Sequence, residues 1–204
     1  MKGLVIKDLS VLIKQFKVFL IIMIGFSLLP GFQFSAFIIC YCAIASLSTI
    51  SYDEHSKWDK LAAMMPYTKK ELVFSKYITG YICITAAMFI ALFGKTITSL
   101  FTKQLINFQE VGQLFLIVCI GLLIQAIDLP IVFKLGVEKG RMLIAFSLIV
   151  AAALVFPLLT VFRMGFENIV INIPLVIMVL VLLVVILNII SVSLSHRFYS
   201  KREM

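Results

Sequence analysis

Residues 113–133 read QLFLIVCIGLLIQAIDLPIVF, and Asp128 is the only charged side chain in that stretch. A helix that crosses the apolar core of a bilayer, about 30 Å thick, needs roughly 20 mostly apolar residues. The stretch therefore has the length and the composition of a transmembrane helix. Apolar blocks as long as this one also differ from the evenly scattered apolar residues of a soluble core.

The rest of the chain has the same apolar character. Hydrophobic residues make up 62% of the 204 residues and charged residues 14%, whereas a soluble domain is roughly half apolar and about a quarter charged. A soluble fold of this size lacks the interior for so many apolar side chains, so lipid is the expected solvent. We therefore predict an all-α polytopic membrane protein in which residues 1–204 form one transmembrane domain. The six predicted spans are about residues 11–29, 32–50, 77–93, 113–133, 142–162 and 173–194.

Lysine and arginine residues predict the orientation of these spans, because positively charged loops stay on the cytoplasmic side. Fifteen of the 18 lie in the N-terminal region up to the start of the first span (Lys14 and Lys17 included), between spans two and three, between spans four and five, or in the tail, which share one side. The other three are Lys95, Lys103 and Arg163. Both termini are therefore predicted to face the cytoplasm, and the formal net charge of +8 needs no nucleic-acid partner.

The residues before the first span form an amphipathic pattern. Apolar side chains from Leu4 to Phe16 recur near helical spacing, and Lys2, Lys7 and Asp8 lie between them. A separate amphipathic helix in the inner membrane interface has this pattern. A simple N-terminal extension of the first span has it as well.

The loop between spans two and three, residues 51–76, reads SYDEHSKWDKLAAMMPYTKKELVFSK. Trp58, Leu61, Ala62 and Met65 follow the i, i+3, i+4, i+7 spacing of one helix face. Pro66 is expected to end this helix, because proline lacks an N–H group and disfavours helical backbone at the residue before it. The loop thus contains a predicted short amphipathic helix.

A second helix is predicted to begin just after that bend. Thr68 and Glu71 have the Thr-x-x-Glu spacing of a capping box, which places a helix start at Lys69 and continues it into span three. The two helices would form a helix–bend–helix segment that projects on the cytoplasmic face. This segment either rests on lipid headgroups, with Trp58 as an interface anchor, or docks on a cytoplasmic partner.

Motifs for chemistry are scarce in the chain. No G-x-x-x-x-G-K-[ST] sequence occurs, so nucleotide binding through a P-loop is not expected. We predict no catalytic residue, no metal site and no cofactor on this chain. An ionisable residue within a span is a functional candidate by default, so Asp128 is a candidate for a translocation path. Gln125, a polar residue of the same span, is a second candidate, although polar groups of this kind more often join helices to one another. The alternatives for Asp128 are an ion pair with Lys134 and a structural contact near a helix end.

Two segments carry a resemblance to a known family. Residues 52–77, YDEHSKWDKLAAMMPYTKKELVFSKY, combine an acidic pair, a tryptophan, a proline, a basic pair and a Lys-Tyr in order. Residues 129–141, LPIVFKLGVEKGR, form a second inner loop. In these features the chain resembles the ABC-2 type exporter permeases, in particular the small six-span bacterial subfamily that includes the permease subunits of the phenol-soluble modulin exporter. Lys69-Lys70 departs from the Ser/Thr followed by Arg/Lys expected there.

The resemblance implies a transport subunit and not an enzyme. In this family a cytoplasmic ATPase dimer, which binds ATP and Mg²⁺, powers two permease subunits that are identical or paralogous. It also implies a multi-pass protein of the bacterial cytoplasmic membrane that exports an amphipathic or hydrophobic substrate, such as a cytolytic peptide. The loop of residues 51–76 would then carry the coupling helix that fits a groove of the ATPase.

The resemblance assigns residues to that coupling. The expected ATPase contacts are Asp53, Glu54, Lys57, Trp58, Asp59, Leu61, Met65 and Pro66. The helix cap beside them is Thr68 with Glu71. The expected contributors from the second inner loop are Lys134, Glu138, Lys139 and Arg141.

Two other functions fit the residues. One is an ATP-independent secondary transporter or channel-like protein with Asp128 as its ion or proton site. The other is a non-transporting membrane protein, such as an immunity or sensor subunit that only binds a partner.

Overall fold

A computed structural model describes residues 2–27, 32–102, 108–137, 149–150, 153 and 173–201. Within these ranges the elements are helices, and no strand occurs among them, which agrees with the all-α prediction. The helices are α1 Lys2–Ser27, α2 Phe32–His55, α3 Trp58–Ala63, α4 Lys69–Thr102, α5 Phe108–Leu135 and α6 Ile173–Lys201.

Three of these helices are long and apolar enough to cross a membrane. They are the stretches Lys69–Ile97, Val111–Leu135 and Met178–Ser200, and they contain most of predicted spans three, four and six. Helices α1 and α2 cover predicted spans one and two. Nearly all of the predicted fifth span, residues 142–162, lies outside the described residues. The count of six spans and the orientation therefore stay predictions.

Helix α1 is one continuous helix from Lys2 to Ser27. The prediction of a separate interfacial helix is therefore wrong. The structure has the other alternative, an N-terminal extension of the first span. No proline occurs within it. Leu4, Asp8 and Leu12 are all buried, and their i, i+4, i+8 spacing forms a stripe that faces protein. That stripe keeps the first turns of the helix on the bundle.

Helix α4 is also longer than predicted, because it continues past residue 93 to Thr102. Its polar residues in this region suit a helix. The hydroxyls of Thr96 and Ser99 donate to the carbonyls of Phe93 and Thr96, each three residues earlier, at 2.8 and 2.9 Å. These bonds give the two hydroxyls partners within the helix.

The core lies where α2, α4 and α5 pack together. One buried cluster lies toward the ends of α4 and α5 that are far from the α3 segment, and small residues such as Ala43, Ala87 and Ala91 belong to it. A second cluster lies nearer α3 and includes Tyr77, Phe133 and Tyr199, so α6 joins the packing there. The rings of Phe133 and Tyr199 meet edge to face, with 5.5 Å between centroids.

A polar seam joins α4, α5 and α6 inside the bundle. The Tyr77 hydroxyl lies 2.6 Å from the Ser191 hydroxyl and 2.7 Å from the Ser195 hydroxyl. Ser191 gives its one proton to the carbonyl of Ala126, so Tyr77 donates to Ser191 and accepts from Ser195. Because lipid offers no competing partners, hydrogen bonds of this kind hold transmembrane helices together.

Gly80 allows a close approach between α4 and α5 at this seam. The amide nitrogen of Gln125 donates to the Tyr77 carbonyl at 3.2 Å, and Gln125 is fully buried. A Cβ atom at position 80 would overlap the amide group of Gln125. The absence of a side chain at Gly80 is therefore what leaves room for that amide.

We expect Gly80→Ala to lower the melting temperature of the detergent-solubilised protein by several degrees, because overpacking a buried contact costs about 1–3 kcal/mol. The loss is measured by thermal denaturation followed by size-exclusion chromatography. Gly3→Ala is the control, since its Cβ would lie 3.6 Å from the Tyr67 hydroxyl, an ordinary contact. In a Gln125→Ala background the same Gly80→Ala change should cost less. Equal melting temperatures of the Gly80→Ala variant and the unaltered protein would show that the contact between Gly80 and Gln125 is not tight.

Candidate functional site

The segment between α2 and α4 turns sharply twice. Lys57 has a left-handed backbone, with φ 54° and ψ 31°, and α3 begins at the next residue. At the other end α3 stops at Ala63, earlier than the predicted end at Met65. The N–H groups of Met64 and Met65 bond to carbonyls three residues back, both at 3.1 Å. The last turn is thus tightened ahead of Pro66, as the backbone preference before a proline requires.

The apolar side chains of α3 point two ways. Ala62 is buried and Trp58 is partly buried, so these two face the bundle. Leu61, Met64 and Met65 are 50%, 85% and 40% exposed. The single apolar face expected from the sequence is therefore divided, and we call Leu61, Met64 and Met65 the apolar patch. Lys57 and Pro66 are also exposed, whereas the side chain of Asp59 lies outside the described residues.

A cluster of four charged side chains lies behind α3 and joins α1, α2 and α4. We call Lys7, Asp8, Asp53 and Lys76 the charge cluster. Asp53 at the end of α2 accepts from Lys7 at 2.6 Å and from Lys76 at 2.5 Å. Asp8 lies 2.8 Å from Lys76 and 3.2 Å from Lys7. Two acids and two bases make the cluster formally neutral.

Burial explains why these charges are so closely paired. Asp8, Asp53 and Lys76 are 1%, 5% and 7% exposed. An ion out of water is stable only when opposite charges and hydrogen bonds compensate it. Asp53 was expected to contact a partner, but its carboxylate is enclosed by two lysines. In the described structure Asp53 joins the end of α2 to α1 and α4. Its contact with an ATPase stays a prediction.

Lys7 makes one further contact, to the aromatic ring of α3. Its ammonium nitrogen lies 4.4 Å from the centroid of the Trp58 ring, within the range of a cation–π interaction. The same ammonium bonds to Asp53. Lys7 thus contacts one residue on each side of the turn at Lys57.

Glu54 connects this segment to the predicted second inner loop. Its Oε2 accepts the backbone N–H of Val137 at 2.9 Å, just past Gly136, whose φ is 78°. Lys134 is exposed, and its ammonium lies 5.3 Å from the centroid of the Phe198 ring. Glu138, Lys139 and Arg141 lie outside the described residues. The structure thus brings the beginning of the second loop to the end of α2.

The start of α4 carries the hydrogen bonds of a capping box. The Glu71 carboxylate accepts from the backbone N–H and the hydroxyl of Thr68 at 3.0 and 3.1 Å. The Glu71 N–H donates to the Thr68 hydroxyl at 3.3 Å. Lys69 is the first residue of α4. These bonds satisfy backbone donors that a helix start leaves unpaired.

The two candidates for a translocation path are enclosed by protein. Gln125 is fully buried in the contact between α4 and α5, where it bonds to Tyr77. Asp128 is 1% exposed. Both side chains are therefore buried in the part of the chain that the structure describes.

A family model described as "ABC-2 family transporter protein" matches residues 3–200. The chain belongs to this family. No curated protein and no solved structure gives a significant match. An ABC-2 family transporter protein is a membrane transport subunit and not an enzyme, and permeases of this kind generally work with a cytoplasmic ATPase.

In this ABC-2 family transporter protein, sequence reasoning did not identify three of the four members of the charge cluster. Lys7 and Lys76 counted only as cytoplasmic cations, and Asp8 only as part of a polar face. One signal was available, because Asp8 lies between Leu4 and Leu12 on the buried stripe of α1. An acidic residue on an apolar stripe predicts a buried cation as its partner.

We expect Lys76→Met to destabilise the ABC-2 family transporter protein by about 3–5 kcal/mol, because it leaves two buried carboxylates with one lysine. The loss is measured as a lower denaturation temperature in detergent. Lys70→Met, an exposed lysine on the same helix, should change stability by no more than about 0.5 kcal/mol.

Charge balance distinguishes an ionic effect from the loss of packing. The double variant Lys76→Met/Asp8→Asn keeps one acid and one base in the cluster and should recover part of the lost stability. An equal loss in the double variant and in Lys76→Met would contradict the ionic explanation.

Proposed function

We propose that this chain is the transmembrane permease subunit of an ABC exporter, and that the apolar patch on α3 docks on the ATPase that drives it. The observation that carries this proposal is the exposure of Leu61, Met64 and Met65 on a short helix held by the charge cluster. Large apolar side chains clustered on a surface mark interaction sites. Methionine is common at docking surfaces because its flexible side chain adapts to a partner.

The direction of Trp58 favours a protein partner over a lipid surface. An interface anchor would present its ring to the headgroups. The Trp58 ring instead packs inward beneath the ammonium of Lys7. What α3 presents outward is the apolar patch, together with the exposed Lys57.

Rigid connections allow movement of α3 to reach the spans. The Thr68–Glu71 capping box makes the first turn of α4 a firm continuation of the segment. Lys76, less than two turns later, is bonded to Asp53 at the end of α2. In the proposed mechanism, closure of the ATPase on ATP pushes α3, and α2 and α4 carry the movement into the membrane.

The wider proposal follows the family. The chain would lie in the bacterial cytoplasmic membrane with six spans and with both termini inside. ATP and Mg²⁺ would bind to the separate ATPase dimer. A second permease subunit, identical or paralogous, would complete the transporter, because six helices alone hardly enclose a path for a bulky solute.

A cavity between α4, α5 and α6 supports a hydrophobic or amphipathic substrate, such as a peptide. Its volume is about 570 Å³, and its lining is mostly aliphatic and aromatic. Tyr81 donates a hydrogen bond to Asn188 at 3.0 Å within that lining. Ligand sites commonly combine apolar walls with a few polar groups.

The rival functions gain less support. A proton-coupled carrier would need Asp128 to exchange protons with water, and that side chain is 1% exposed. A protein that only binds a partner would also present the apolar patch, so measurement of coupled ATPase activity separates this rival from a permease.

We expect the double variant Leu61→Ser/Met64→Ser to lower co-purification of the ATPase with the tagged permease by about ten-fold or more. Burial of one such side chain contributes about 1.5–3 kcal/mol, and 1.4 kcal/mol corresponds to a factor of ten. An ABC ATPase encoded beside this chain is the first partner to co-express. Permease-dependent ATPase activity in membranes should fall in parallel.

The matched control keeps both positions apolar. Leu61→Met/Met64→Leu should retain ATPase association and activity within about two-fold, because volume-conserving apolar exchanges are tolerated. Unchanged association and activity in the serine variant would reject the docking surface. Association without any effect of the permease on ATPase activity would favour the non-transporting rival.

A further inference from the structure

Helix α3 has few means of holding its own position. It has six residues and no side-chain cap at its N-terminus, and the residue before it has a left-handed backbone. Helices this short are not stable alone in water. The orientation of α3, and therefore of the apolar patch, depends on contacts with the rest of the protein.

Lys7 is placed to supply the contact that fixes the beginning of α3. Its ammonium bonds to Asp53 in the last turn of α2 and lies over the ring of Trp58, the first residue of α3. One charged group on α1 thus holds both sides of the turn between α2 and α3. Asp8, the next residue on α1, bonds to Lys76 of α4.

We propose that Lys7 is a positioning residue that clamps α3 to the bundle, and that α1 is thereby a second path, beside α4, from α3 to the spans. The clamp itself stands on the contacts of Lys7. The role of α1 as a path rests on the proposed function.

The charge cluster gives this clamp its stiffness. A displacement of Trp58 acts on Lys7. If Lys7 left Asp53 and Asp8, these two buried carboxylates would have to share the single charge of Lys76, which is costly. The bond between Asp8 and Lys76 ties α1 to α4 independently of α3. The first turns of α1 and α4 should therefore move together with α3.

Trp58 offers a direct measurement of the clamp, because it is the single tryptophan in the chain. Its fluorescence reports on α3 in the full-length protein, in detergent or in nanodiscs, without the ATPase. We expect Lys7→Met to shift the emission to longer wavelength and to raise the Stern–Volmer constant for acrylamide quenching about two-fold or more, since the cation–π contact is lost. Lys7→Arg should restore the unaltered values, because arginine makes both contacts.

Two further variants make the measurement specific. Lys14→Met removes an exposed lysine from the same helix and should leave the emission and quenching unchanged. Lys7→Met/Asp8→Asn keeps the cluster neutral, because Lys76 remains paired with Asp53. This double variant should release Trp58 as Lys7→Met does. It therefore provides the measurement even if Lys7→Met alone folds poorly. Quenching in the double variant equal to that of the unaltered protein would overturn the clamp.

The ATPase complex tests the second path. Lys7→Met/Asp8→Asn retains the apolar patch, so we expect the ATPase to remain associated. The permease-dependent ATPase activity should fall about three-fold or more, a size typical of mutations that lie between two coupled sites. Full activity in this variant, with Trp58 released, would overturn α1 as a path. A failure of the unaltered permease to bind any ATPase would reject the proposed function, whereas the Trp58 measurements would still decide the clamp.

Discussion

The pairing of two carboxylates with two ammonium groups at one end of the bundle determines how the surrounding helices can be arranged. Asp53 lies between Lys7 and Lys76, and Asp8 closes the group from α1. Because three of these side chains are buried, none can be moved alone without a large cost in desolvation. The ends of α1, α2 and α4 are therefore fixed relative to one another by charge, and α3 is held against that fixed group.

The bundle is held differently along its length. Toward the far ends of α4 and α5, small residues such as Ala43 and Ala87 belong to a buried apolar cluster and let the helices approach closely. Near α3, hydrogen bonds of Tyr77 and the charge cluster add directional contacts. Charges buried in this way cannot separate without a large cost. The apolar patch thus lies at the end of the bundle that has these additional contacts.

Features that depend on residues close together in the sequence could be predicted, whereas features that depend on residues far apart in the sequence could not. The start of α4 at Lys69 could be predicted because Thr68 and Glu71 are three residues apart and their bonds are local. The inward direction of Trp58 could not, because it results from a cation 51 positions earlier in the chain. Asp53 was given an outward role for the same reason, since its partners lie on two other helices. The helical class and the apolar spans follow from composition, which needs no knowledge of packing.

The order in which the charge cluster is synthesised has a consequence for biogenesis. Lys7, Asp8 and Asp53 leave the ribosome first, and as a group they carry one negative charge in excess. Lys76, which neutralises that excess, follows only with the first turns of α4. Helices α1 and α2 alone would therefore leave a buried carboxylate in excess over their lysine. We expect this end of the helix pair to stay hydrated until α4 supplies Lys76, so that α1 and α2 reach their final packing only once α4 is inserted.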